Sequence, residues 1–170
     1  ISKDLSGALT ADEINRKIFR IINSSFPECD IGISVLDEVE ENIILKGLFT
    51  NNKEINTAGM PPIKLDKTGK GLQSSVIVSK QTRIIDNYKE YIKKSGAQFY
   101  VKDDGTVVNE KEDSFELAET ALIIPLIYEK KVIGTLQLLN YSKNGFTNNA
   151  LKVLESLASH IAVSIVNAQL

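Results

Sequence analysis

The chain is poor in the residues that most metal and nucleophilic chemistry needs. It has one cysteine, Cys29, one histidine, His160, and no tryptophan in 170 residues. A single cysteine excludes a disulfide framework within the chain and points to a reducing, cytoplasmic compartment. It also excludes a reductase mechanism in which one thiolate attacks and a second resolves the intermediate within the chain. One histidine leaves no His/Cys cluster for a transition metal. His160, between Ser159 and Ile161 on the final helical pattern, reads as a half-exposed structural or interface residue rather than a haem ligand. Ser74 and Ser75 have no local base, so a hydrolase triad has no support.

Excess charge of one sign is lacking as well. Lys and Arg total 20 against 22 Asp and Glu, a net charge of -2, which gives no electrostatic footprint for nucleic acid. The pairs Lys93–Lys94 and Lys130–Lys131 lie beside acids and read as solvated faces. No uninterrupted apolar run approaches the ~18–20 residues that span a bilayer, so no direct membrane contact is expected. The opening ISKDLSG does not read as a signal peptide, and no internal repeat or low-complexity tract is seen. The chain opens ISKDLSG, without an initiator Met, and stops within an apolar-periodic helix at Leu170. Residues 1–170 therefore read as a single domain cut from a longer protein.

What is present is alternation between helical and strand periods, with a hydrophobic share of 42% that suffices for an ordinary core. Thr10-Ala-Asp-Glu13 is a capping box, followed by Ile14, Ile18, Ile21 and Ile22 at helical spacing and closed by Pro27. Ile31, Ile33 and Val35 alternate with Gly32 and Ser34, the mark of a strand apolar on one face. Asp37–Asn42 turns the chain into a second strand, NIILKGLF. Thr50–Lys67, with Gly59, Pro61 and Pro62, reads as loop. A short helix around Leu72, Val76 and Val78, a strand Gln81–Asp86 and a helix ended by Gly96 follow.

Ala97–Glu119 is the least regular part. It reads as a surface insertion or lid, with a small hairpin about Asp104-Gly105. ALIIPLIY is a buried central strand, and its Pro125 requires a bulge or an unpaired position. A tight turn at Glu129-Lys130 returns the chain antiparallel as KVIGTLQLLN. Thr147 caps the last helix, and Phe146 and Leu151 are spaced for a hydrophobic staple. Leu151, Leu154, Ala158, Ile161 and Ile165 then form a core-facing stripe. The sum is an α+β fold: a mostly antiparallel sheet, the terminal helices together on one face and the middle segments on the other.

Four pieces, in this order, resemble the GAF domain: IGISVLDEVEENIILKGLF, LDKTGKGLQSSVIVSKQTRIIDN, ALIIPLIYEKKVIGTLQLLN and FTNNALKVLESLASHIAVSIVNAQL. The resemblance runs from about Thr10 to Leu170. It implies a regulatory module of a signalling protein, with a small-molecule pocket under the middle helices and loops. It also implies a homodimer through the terminal helices and a covalently linked effector: a histidine kinase, cyclic-dinucleotide enzyme, cyclase, phosphodiesterase or transcription activator. Cyclic-nucleotide-binding members carry Asn-Lys, a spacer, then Phe and three residues before Asp-Glu. Here Asn140 and Phe146 match, but Tyr141 stands at the Lys position and Ala150 and Leu151 at the acidic ones. Bilin-binding members attach their chromophore to a pocket cysteine, whereas Cys29 falls between the first helix and first strand.

Other chemistries fit less well. Thr68-Gly-Lys-Gly71 lacks the Ser/Thr that must follow Lys in a phosphate-binding loop. Asp103, Asp104, Glu110, Glu112 and Asp113 read as a solvated acidic loop rather than a hard-cation site. The expected function is a non-catalytic sensor whose ligand is oriented by Ser34, Ser75, Asp86, Tyr88, Tyr91, Thr120, Thr135 and Gln137. The alternatives are a purely structural dimerisation module, favoured by the apolar Ile161, Val163, Ile165 and Val166, and a cyclic-nucleotide-binding domain. No catalytic residue, metal or particular cofactor is assigned.

Overall fold

A computed structural model describes residues 10–95, 100–101, 107–108 and 116–169. Helix α1 spans Ala11–Ser25 and begins as the sequence predicts: Glu13 N donates to Thr10 Oγ1 at 3.1 Å, and Thr10 N donates to Glu13 Oε1 at 3.4 Å. Phe19 and Ile22 are fully buried, whereas Ile21, part of the expected apolar face, is 46% exposed. Strands β1 (Cys29–Asp37) and β2 (Asn42–Thr50) pair antiparallel through the acidic turn, with a register shift at Ile33/Ser34.

The stretch expected to be loop holds two short strands, β3 (Lys53–Ile55) and β4 (Ile63–Lys64), both paired with β2. Asn51 and Asn52 adopt φ of 52° and 60°, the left-handed pair that a two-residue hairpin turn requires. Helix α2 (Leu72–Ser79), strand β5 (Arg83–Ile85) and helix α3 (Tyr88–Ser95) follow. In the expected insertion, β6 (Tyr100–Val101) pairs with β7 (Val107–Val108) as a small hairpin, while Gly96 and Asp104-Gly105 lie outside the described residues.

Strands β8 (Thr120–Tyr128) and β9 (Lys131–Asn140) form the long central hairpin, turning at Glu129 and Lys130 with φ of 49° and 69°. β5 pairs with β8 at Ala121, Leu122 and Ile123, so among the described residues Pro125 pairs with β9 alone. That is where a residue without an N–H is tolerated. Helix α4 spans Asn148–Gln169, and Ala150 N donates to Thr147 Oγ1 at 3.0 Å to cap it. The sheet order is β3-β2-β1-β9-β8-β5, with each adjacent pair antiparallel.

Period-two alternation gives this sheet two buried faces. Ile31, Ile33, Leu122, Ile124, Leu126, Leu136 and Leu138 pack against Phe19, Ile22, Leu154, Ala158, Ile161, Ala162 and Ile165 of α1 and α4. Each large apolar side chain buried there contributes about 1.5–3 kcal/mol relative to exposure. Phe146 and Leu151 pack onto the same core. On the opposite face Val76 of α2 meets Ala121 and Ile123, and Ile77 meets Ile43 and Val132. By length and composition α4 is apolar enough to cross a bilayer, although it contains Lys152 and Glu155 and a reading by uninterrupted runs passes over it. Its burial of Leu154, Ala158, Ile161, Ala162 and Ile165 in the domain core accounts for part of that composition, while Val153 and Val163 stay exposed.

Candidate functional site

The floor of the site is set by alternation in β1 and β9. With Ile31, Ile33, Leu136 and Leu138 committed to α1 and α4, the intervening Gly32, Ser34, Thr135 and Gln137 face the other way. Gly32 lies opposite Gln137 and Ser34 opposite Thr135. Gln137 Nε2 donates to Ser34 Oγ at 3.2 Å, which fixes both side chains on the floor.

Above this floor is a cavity of about 1150 Å³. Its walls are the first turn of α2, α3, the segment from β4 to α2, and Glu116–Ala118. The volume is larger than the ~300–1,000 Å³ of most small-molecule sites. Apolar lining comes from Ile43, Leu45, Leu48, Leu65, Leu72 and Leu139. Tyr88 and Tyr91 stack with ring centroids 6.4 Å apart, and the Arg83 guanidinium lies 5.7 Å from the Tyr91 centroid. That cation–π contact holds α3 beside β5.

Of the eight residues expected at the site, Ser34, Tyr88, Tyr91 and Gln137 line this cavity. The other four have different surroundings. Ser75 Oγ donates to Leu72 O and accepts from Arg83 Nη1, both at 2.8 Å, tying α2 to β5. Thr135 is fully buried and donates to Gln73 Oε1 at 2.9 Å. Thr120 is buried at the start of β8, paired with Asn140, and Asp86 is exposed between β5 and α3. None of these four lies in the cavity wall.

Sequence reasoning passed over a polar cluster at one end of the wall. Asp30, Thr50 and Tyr141 all line the cavity. Thr50 Oγ1 donates to Asp30 Oδ1 at 2.6 Å, and Tyr141 Oη donates to Asp30 Oδ2 at 2.8 Å. The signal for Asp30 was available: it precedes Gly32 and Ser34 by steps of two and so shares their face. Lys64, Lys67 and Lys70 line the segment leading to α2. Lys67 pairs with Glu41 at 2.7 Å, and its hydrogen bond holds the Glu41 carboxyl below its ordinary range. Hydrogen bonds from the Thr68 side chain and backbone do the same for Asp66.

Cys29 is buried in the core on the opposite sheet face. Burial first, then the neighbouring Glu28 and Asp30 charges, push its thiol up to about 12, so it is no thiolate nucleophile near neutrality. His160 is exposed on α4. The Asn140 side chain is spent on its own turn, donating to Gly145 O and accepting from Ser142 N. Among the described residues no three His, Cys, Asp or Glu side chains gather as metal ligands. Asp103, Asp104, Glu110, Glu112 and Asp113 lie outside those residues.

The same architecture recurs in solved structures. The GAF domain of an Acinetobacter phosphoenolpyruvate-protein phosphotransferase superposes with a TM-score of 0.70 at 16% identity, covering 95% of this chain and 86% of that one. The GAF domain of a Bacillus halodurans two-component sensor histidine kinase gives 0.65 at 19% identity, over 95% and 97%. A type II free methionine-R-sulfoxide reductase from Thermoplasma acidophilum gives 0.62 at 16% identity, over 90% and 92%. At such identities the likeness establishes the fold alone. Comparison with curated proteins finds no match. The family description "GAF domain", by contrast, matches residues 8–166, nearly the whole chain, and the chain belongs to the GAF domain family.

Proposed function

We propose that this domain is a non-catalytic regulatory sensor that binds a small molecule and controls an attached signalling effector. The observation that carries the reading is the cavity of about 1150 Å³, apolar-walled and floored by the Gln137–Ser34 pair. A few fixed polar groups among apolar walls suit recognition of a small organic ligand. Ser34, Tyr88, Tyr91 and Gln137 orient it, and Asp30, Thr50 and Tyr141 join them. Ser75 and Thr135 act at one remove, by tying α2 to β5 and to β9, whereas Asp86 and Thr120 lie outside the wall and carry no part of this reading.

Non-catalytic action fits a lone cysteine that is buried away from the cavity and resists ionisation. A lone, buried thiol also suits a cytoplasmic setting. A thermal-shift screen of nucleotides, cyclic nucleotides, amino acids and other metabolites tests the sensor reading. Stabilisation by one compound, lost in Gln137→Leu, supports it; no stabilisation by any sinks it.

A second reading, a dimerisation module without ligand, rests on the outer side of the terminal helices. Ile21 of α1 and Val153 and Val163 of α4 are 46%, 52% and 44% exposed. A homodimer through α1 and α4 would cover them, in concert with ligand binding or without it. Sedimentation equilibrium decides: a dimer lost in Val163→Glu is expected, and a monomer at every concentration would remove this reading.

A further inference from the structure

The cavity wall reaches the roots of both terminal helices where Asp30 meets Tyr141. Asp30 is the second residue of β1 and follows the α1 C-cap, Phe26, by four positions. Tyr141 is the first residue past β9 and begins the connection to α4. The 2.8 Å hydrogen bond between them therefore spans the α1–β1 and β9–α4 connections.

Those two connections form one packed unit. Tyr141 N donates to Glu28 O at 3.4 Å, and the Phe26 and Phe146 ring centroids are 6.4 Å apart. Asn140, 1% exposed, stiffens the turn by holding Gly145 O at 3.0 Å and Ser142 N at 2.8 Å. Other polar parts of the wall attach elsewhere. Lys64 and Lys67 bind Glu40 and Glu41 in the β1–β2 turn, and Gln73 binds Thr135 in mid-strand.

We propose that the Asp30–Tyr141 hydrogen bond is a latch through which occupancy of the cavity is passed to α1 and α4. The proposal rests on the reading that the cavity takes a ligand, and it names how that site is read out. A ligand hydrogen-bond donor that reaches Asp30 competes with the Tyr141 hydroxyl for the carboxylate. When the Tyr141 hydroxyl is displaced, the β9–α4 connection loses one side-chain tie to β1, keeps the Tyr141 N–Glu28 O bond as a pivot, and both helix roots can reset. Such a ligand shifts the helices only by as much as it favours the unlatched arrangement over the latched one.

The test is hydrogen exchange, read by mass spectrometry. Tyr141→Phe keeps the ring and removes the hydroxyl. Exchange should rise about tenfold in peptides covering both Phe26–Asp30 and Tyr141–Leu151, and stay unchanged in Leu122–Leu126. Asp30→Ala, which leaves no acceptor for the Tyr141 hydroxyl, should reproduce the pattern. A change confined to the Tyr141 side, or absent from both, overturns the latch.

A second arm imitates occupancy. Leu139 lines the cavity and pairs opposite Asp30, so Leu139→Cys treated with iodoacetamide places a carboxamide donor there. Alkylation should speed exchange in the same two segments, and adding Tyr141→Phe should abolish the difference between alkylated and free protein. Alkylation that leaves both segments unchanged also overturns the proposal. Neither arm needs the natural ligand, so an empty metabolite screen counts against the sensor reading and these results against the latch.

Discussion

Thr135 Oγ1 donates to Gln73 Oε1 across 2.9 Å, joining the fully buried middle of β9 to the first turn of α2. The two partners are unequal. Gln73 is half-buried at the cavity wall, where water can replace a lost partner, whereas Thr135 has no exposed surface.

That asymmetry predicts the outcome of a mutant cycle. Thr135→Val removes a donor and should cost about 1 kcal/mol, the net worth of one hydrogen bond. Gln73→Leu strands the buried hydroxyl and should cost more, about 1–3 kcal/mol. The double variant should return close to the Thr135→Val value, because it leaves no buried hydroxyl behind. Urea unfolding measures all three, and equal costs for the two single changes would contradict this account.

Gly134 lies opposite Val35 in the β1–β9 pairing. A Cβ placed there would lie 2.0 Å from the Ser34 carbonyl oxygen, a backbone atom held in the sheet. No rotamer change relieves such an overlap, so the strands must separate. Gly134→Ala should therefore destabilise the domain by on the order of 3 kcal/mol or more. Gly32→Ala is the control: its Cβ would meet its nearest neighbour, Leu45 Cδ1, at 3.6 Å, an ordinary contact. A similar unfolding midpoint for both variants would refute the steric argument.

The layered fold was legible because its signals are local. Alternation at Ile31, Ile33 and Val35, the Thr10–Glu13 box and the stripe Leu154, Ala158, Ile161 each report their own element. Strands β3 and β4 were not legible, since two or three residues cannot display a period. The candidate site was half legible. Ser34 and Gln137 follow from strand alternation, but alternation alone also admits Thr135. What separates them is where α2 sits on the sheet, and that is set by contacts between distant segments. Asp30, Thr50 and Tyr141 meet from three parts of the chain, so only Asp30 carried a local clue.

Cys29 should be nearly inert in the folded protein. Its thiol is raised from 9.0 to about 12, which at pH 8 lowers the thiolate fraction by about a thousandfold. Burial in the core slows attack further. Reaction with a chromogenic disulfide should be slow in buffer and immediate in denaturant, with one thiol released per chain. Rapid labelling of the native domain would show that Cys29 is accessible and ionisable.

Acid should loosen the segment from β4 to α2 before it touches the core. The Lys67 hydrogen bond holds Glu41 below its ordinary carboxylate range, and Thr68 does the same for Asp66. A carboxyl whose folded value is depressed binds its proton more weakly than in the unfolded chain. Its contribution is complete above the unfolded value and is lost as pH falls through the folded one, here below about pH 4.5. Lys67→Ala removes the Glu41 share, so the wild-type advantage present at pH 7 should shrink as pH falls below the ordinary carboxylate range. Because Lys67 is well exposed and Glu41 is 34% exposed, that advantage should be small and should fall in high salt. Unfolding curves of the two proteins at pH 7 and pH 3 measure it, and a difference independent of pH would exclude the Lys67–Glu41 linkage.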